Sequence, residues 1–205
     1  MNYTELKAEV AAWMHRTDLT SNIPTFINLA ERDMKRSLRA YEMLSEESIG
    51  ATAGNREAPL PANFVQMRNL RINNDKYGKV LTFRPSSALF DIEPQSGDPK
   101  HFSYANGKII LSPKPSDDLT LIAECYVMPA DLSDAAPTNA LLTAYPNLYL
   151  NMALKHAFRY VRNKDKSMEF DAYARQDIAE INKDTRKLLS SGTFDSMKPF
   201  KRNIP

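Results

Sequence analysis

Few residues in this chain have a type and spacing that could do chemistry. The three histidines, His15, His101 and His156, have no metal-binding companion at helical spacing, and no HExxH or related pattern is present. His156 interrupts an apolar helical arc between Met152 and Tyr160, where a lone histidine reads as a hydrogen-bonded residue at the edge of a core. The adjacent acids Glu46-Glu47 and Asp117-Asp118 diverge on a strand or turn, so neither pair reads as a catalytic dyad. Six glycines leave little material for a phosphate-cradling loop, and there is neither a P-loop nor a G-x-G-x-x-G run. The single cysteine, Cys125, excludes an intrachain disulfide framework and a cysteine-built zinc site. Its place in the alternating run LTLIAECYV is that of a small buried strand residue. The sequence thus offers no catalytic residue, no metal site and no cofactor, and it points away from an enzyme.

What remains is charge. The chain is nearly balanced, at a formal net charge of +2, so its overall field makes no case for binding nucleic acid. A local pattern does. Arg32, Lys35, Arg36 and Arg39 form a basic strip on one helix, opposite an apolar stripe of Phe26, Ile27, Ala30, Met34, Leu38 and Tyr41. A solvated face is the plain reading of such charges. Because Glu31 and Asp33 flank the strip instead of alternating through it, a surface facing a polyanion is the other reading. A helix-turn-helix formed by the first two helices would bring the strip to phosphates. Its reading end, however, carries Pro24, Thr25 and Phe26 in place of Asn, Gln or Arg.

The elements that must position these groups follow from periodicity. The organising helix is predicted over 145–162, with Pro146 in the first turn, where a missing N–H costs nothing. Asn151, Lys155, Arg159 and Arg162 share one narrow polar strip, expected to face water or a neighbouring molecule. The rest of the circumference is largely apolar (Tyr149, Leu150, Met152, Ala153, Leu154, Ala157, Phe158, Tyr160, Val161), as in a helix surrounded by other elements.

Around it, an amphipathic helix is predicted over 4–16, with Leu6, Val10, Trp13 and Met14 on one face. A second runs from a cap at Ser21 or Asn22, through Pro24 in its first turn, to about Tyr41. From Ser45 to Met128 no helix is predicted. Strands are expected over 45–52, 64–72, 79–84, 101–105, 108–112 and 119–128, with Asn106-Gly107 as a type I′ hairpin turn. A linker anchored by Leu132 leads back to the helices. The last helix is expected over 167–191, capped by Ser167, stopped by Gly192 and striped by Phe170, Ala174, Ile178, Ile181 and Leu188.

The tail beyond is too short and proline-broken to form a core, yet it is dense in large apolar and basic groups: Phe194, Met197, Lys198, Pro199, Phe200, Lys201, Arg202 and Ile204. It reads as a segment that docks on a partner. The expected fold is α+β: a bundle of about four helices (1–44 and 129–191), an inserted antiparallel β-rich subdomain (45–128) and a C-terminal extension (192–205). With no secretion signal and no apolar run of about 20 residues, the expectation is a soluble protein made in the cytoplasm, without a membrane partner.

Four stretches in this order resemble a known family: LPANF (60–64), SGDPKHFSYANGKIILSPKP (96–115), YVMPADLS (126–133) and TNALLTAYPNLYLNMALKHA (138–157). Set around a β insertion in a helical frame, they are similar to landmarks of tailed-bacteriophage head-to-tail adaptor proteins of the podovirus tubular-tail type. The resemblance implies a non-enzymatic, dodecameric ring of identical subunits. Such a ring sits beneath the portal protein, meets a tail tube or nozzle protein, and extends the channel through which genomic DNA passes non-specifically. It also implies that the tail residues Phe194 to Ile204 named above grip the portal. Arg32, Lys35, Arg36, Arg39, Lys155, Arg159 and Arg162 would then line the channel or a subunit interface. The resemblance places the protein in the virion, at the portal vertex. Two other readings stay open: a DNA-binding protein using the basic helix face, and another tail or head-completion component.

Overall fold

The structure, a computed structural model, describes residues 1–73, 79–90 and 96–190. In chain order the helices are α1 (Tyr3–Met14), α2 (Ile23–Ser37), α3 (Ser86–Phe90), α4 (Ala140–Ala144), α5 (Pro146–Tyr160) and α6 (Lys164–Ser190). The strands are β1 (Leu44–Ala51), β2 (Glu57–Pro59), β3 (Phe64–Ile72), β4 (Thr82–Phe83), β5 (His101–Ala105), β6 (Lys108–Ser112) and β7 (Leu119–Val127). The fold is α+β, as the sequence leads one to expect. Two compact units divide it, one from Met1–Glu42 with the chain from Asp131 onward, the other from Met43–Ala130.

In the helical unit, α5 is the central element and packs against α1, α2, α4 and α6. It buries Leu148, Tyr149, Met152, Ala153, Leu154, Ala157 and Phe158, while Tyr160 is exposed. α1 starts in a capping box: the Asn2 side chain accepts from the Glu5 N–H, and the Glu5 carboxylate accepts from the Asn2 N–H, each at 2.9 Å. Its buried face is Tyr3, Leu6, Val10 and Met14. Trp13, expected on that face, is half exposed instead, with its ring edge-on to Phe170 at 6.0 Å.

Helix α2 stops four residues before the expected Tyr41. Asn182 of α6 explains the stop: its amide donates to the Ser37 carbonyl at 2.9 Å, and its oxygen accepts from the Arg39 N–H at 2.6 Å. The backbone groups that would continue the helix are thereby taken, and Leu38 turns extended. Tyr41 opens a short 3-10 turn (Tyr41–Met43) and is exposed, not part of the stripe. Asn22 occupies the position before α2, but its side chain makes no capping bond.

The sequence reading does not foresee α4. Asn139 caps it by accepting from the Leu142 N–H at 2.8 Å, and Leu141 and Leu142 are buried. Pro146 has no N–H with which to extend it, so a new helix begins there. Helix α6 starts three residues earlier than expected. Asn163 accepts from the Lys166 N–H at 3.2 Å, while Ser167 lies inside the first turn and donates to the Lys155 carbonyl at 3.1 Å. Phe170 and Ala174 are buried as expected, but Thr185 takes the buried place assigned to Leu188, which is exposed. The expected Gly192 stop lies outside the described residues.

The β unit holds two sheets. One is antiparallel in the order β1-β7-β3, with Ile49 opposite Leu121 and Leu70 opposite Ala123. The other runs β2-β6-β5-β4, and its β4–β5 pair is parallel, so the unit is not purely antiparallel. Ile49, Leu70, Ile72, Phe102, Ile109, Leu111, Leu121, Ala123 and Cys125 share one core. Asn106 and Gly107 have φ of 52° and 71°, the positive pair that a type I′ turn requires. The short β2 and α3 are unforeseen, and the expected strand over 79–84 shrinks to β4 plus a bridge between Val80 and Arg71.

Candidate interaction surface on the helical unit

The polar side chains of α5 form a seam inside the helical unit. Lys155 donates to Asp33 of α2 and to Asp171 of α6, each at 2.9 Å. His156 Nε2 lies 3.1 Å from the same Asp33 carboxylate, and Arg175 Nε lies 2.8 Å from Asp171. One turn back, Asn151 donates to Asp177 at 3.0 Å. Burial works against charge on Asp33 and Asp171, but the hydrogen bonds and charge of their cationic partners outweigh it and hold both carboxyls below the usual range. Burial likewise disfavours charged Lys155, yet its two aspartates raise it overall. For His156 burial wins over the pull of Asp33, and the imidazole sits below its ordinary value. The histidine is thus a bonded residue at the core edge, as its sequence context suggests.

This seam corrects the reading of the α5 polar strip. Asn151 and Lys155 face α2 and α6, because packing three helices together buries these positions and supplies them with acids. Only Arg159 and Arg162 of the strip are exposed.

Around the seam lies a basic flank. Arg32, Lys35 and Arg36 of α2 are exposed, and adjoining furrows join Arg32 and Arg36 to Arg159, Arg162, Lys164 and Arg175. The furrows' two acids, Asp33 and Asp171, are already committed to Lys155, His156 and Arg175. Among the described residues, Arg32, Lys35, Arg36, Arg159, Arg162 and Lys164 have no carboxylate partner. Arg39 is not part of the helical strip. It follows the end of α2, and its guanidinium donates to the carbonyls of Leu38 and Lys35 at 2.6 and 3.3 Å. Exposed Tyr160 and Met168 also line these furrows.

The other flank of α6 is acidic. Asp177, Glu180 and Asp184 border a groove with Tyr145, Asn147 and Leu148. Glu42 adds a fourth carboxylate, accepting from the Tyr145 hydroxyl at 2.9 Å. Lys187, 3.2 Å from Asp184, is the one cation paired with any of the four among the described residues.

One buried acid was not legible as such in the sequence. Glu31, which flanks the basic strip in sequence, is 3% exposed. One of its oxygens accepts from the Leu132 N–H at 3.0 Å and lies 3.4 Å from the Tyr149 hydroxyl, while the other has no partner. Burial pushes its carboxyl up to about 7, against the opposing effect of the Leu132 N–H. A buried Leu132 at a fixed point of the returning chain fits its expected role as anchor. The tail residues Phe194, Met197, Lys198, Pro199, Phe200, Lys201, Arg202 and Ile204 lie outside the described residues.

At the N-terminal end of α2, Ile23 and Phe26 are buried, so the end that would read bases in a helix-turn-helix is committed to the core. Among the described residues no helix is long and apolar enough to cross a membrane. Comparison with curated proteins returns no match. The family model described as SU10 adaptor protein matches residues 1–195, nearly the whole sequence. The chain therefore belongs to the SU10 adaptor protein family, a family of structural phage proteins and not of enzymes.

Proposed function

We propose that this protein is the subunit of a dodecameric ring at the head-to-tail junction of a phage virion. The ring joins the capsid portal to a tail tube or nozzle protein and continues the channel through which DNA leaves. The observation that carries this reading is the adaptor-family match over residues 1–195. A division into two compact units supports it, since an adaptor needs separate surfaces for unlike partners. In this reading the segment after Gly192 grips the portal through its apolar and basic side chains.

Mixing the protein with its cognate portal and measuring the mass of the product tests the reading directly. A discrete portal complex carrying a ring's worth of subunits is expected, and labelled subunits should appear at the portal vertex in electron micrographs. Co-purification with tail proteins alone would assign the chain to another tail component. Removing residues 192–205 should leave a folded subunit that no longer attaches. A truncated subunit that binds portal like the full chain would refute the role of the tail.

A further inference from the structure

The two flanks of α6 carry opposed charges. At about 100° per residue, the nine residues from Arg175 to Asp184 span roughly two and a half turns, which places them on opposite sides of the helix. The buried stripe of Phe170, Ala174 and Thr185 lies between these flanks, against the bundle. One flank presents Arg159, Arg162 and Lys164 with no carboxylate partner among the described residues. The other presents Glu42, Asp177 and Glu180 with no cation partner among them.

We infer that the basic flank of one subunit docks against the acidic groove of a second copy, Arg159, Arg162 and Lys164 meeting Asp177, Glu180 and Asp184. The inference rests on the ring reading above and deepens it by naming the lateral contact. A contact between two different faces of identical chains is heterologous, the kind that closes into a ring when the rotation permits. Opposite potentials on the two faces fix register and direction, and they exclude face-to-face pairing of like flanks.

Two features favour a protein partner over phosphate. Tyr160 and Met168, 56% and 61% exposed, stand among the cations and offer apolar anchors that a DNA backbone would not use. The acidic groove is likewise lined by Tyr145, Leu148 and Ile181. The two faces therefore share a pattern of charge around an apolar centre.

Charge-reversed chains test this by self-association at low salt, read by sedimentation and native mass spectrometry. The wild type is expected to associate, and to do so less as salt rises. Arg159→Glu with Arg162→Glu, and separately Glu180→Arg with Asp184→Arg, should each weaken association at least about tenfold. Mixing these two variants should restore it, since each then supplies the flank the other needs. That rescue is a result misfolded variants could not give.

Single-flank variants that associate like the wild type overturn the inference, as does a wild type that stays monomeric at low salt. Duplex DNA retarded by the protein, lost only in the Arg159→Glu/Arg162→Glu chain while self-association is unchanged, reassigns the flank and overturns it too. The adaptor reading is judged separately: portal complexes that still form with the reversed chains leave that reading standing while this contact falls.

Discussion

A carboxyl buried with one oxygen bonded and the other unpaired, as Glu31 is, makes stability depend on pH. Its value is raised from an ordinary 4.5 to about 7 by burial, with the charge of Asp131 adding to the effect. An acid raised by folding stabilises fully below its unfolded value, and that contribution is lost as pH climbs through the folded one. Wild-type stability from this group should therefore fall from about pH 4.5 to about pH 7, by up to about 1.4 kcal/mol per pH unit. Glu31→Gln should flatten that slope in denaturant melts, because an amide oxygen still accepts from Leu132 and nothing titrates. Lys155 carries the opposite logic. Replacing it with Met leaves Asp33 and Asp171 facing each other without their shared cation. A loss of roughly 1–3 kcal/mol in urea melts is expected, partly recovered by Asp171→Asn. Asp33 and Asp171 themselves, held below 3.8, contribute stability at neutral pH that is lost under acid. The single-residue properties of His156 and Cys125 were legible in the sequence, because an apolar neighbourhood at helical or strand spacing is local. The Cys125 thiol is buried and pushed up to about 11, as an inert core group should be. Glu31 and Lys155 were not legible, since their surroundings are set by residues more than a hundred positions away in the case of Leu132 and Asp33.

Elements obey the same division between local and distant causes. The Asn106-Gly107 hairpin was readable because both φ values are a property of that dipeptide. Gly107→Ala should cost roughly 1–2 kcal/mol of stability in the full chain, by the strain of a Cβ at positive φ. Gly50→Ala, with no positive φ and nothing within 4 Å of the added carbon, should be close to neutral in the same melt. The length of α2 was misread because Asn182, far along the chain, intercepts its last backbone groups. Asn182→Leu should therefore loosen the turn after Ser37, visible as faster amide exchange at Arg39. Helix α4 was missed for a different reason. Five residues are too few for periodicity to register, and its cap, Asn139, resembles any polar loop residue.

At the scale of the whole molecule, the α+β class was visible as a change of period, from helical spacing to alternation and back. The parallel β4–β5 pair was not, because two residues of strand carry no orientation signal. The β unit has its own closed core, so residues 43–130 expressed alone should melt cooperatively by circular dichroism. The inserted unit also begins and ends on neighbouring strands. From Leu44 opposite Tyr126 to Ala51 opposite Leu119, β1 and β7 are zipped along their full paired length. Leu44 and Tyr126 therefore stay one strand spacing apart, about 4.8 Å, whatever lies between them. Hairpins inside the insertion can grow, shrink or change composition without altering that spacing. The β unit can therefore diversify in its hairpins while the sequence of the helical unit stays fixed.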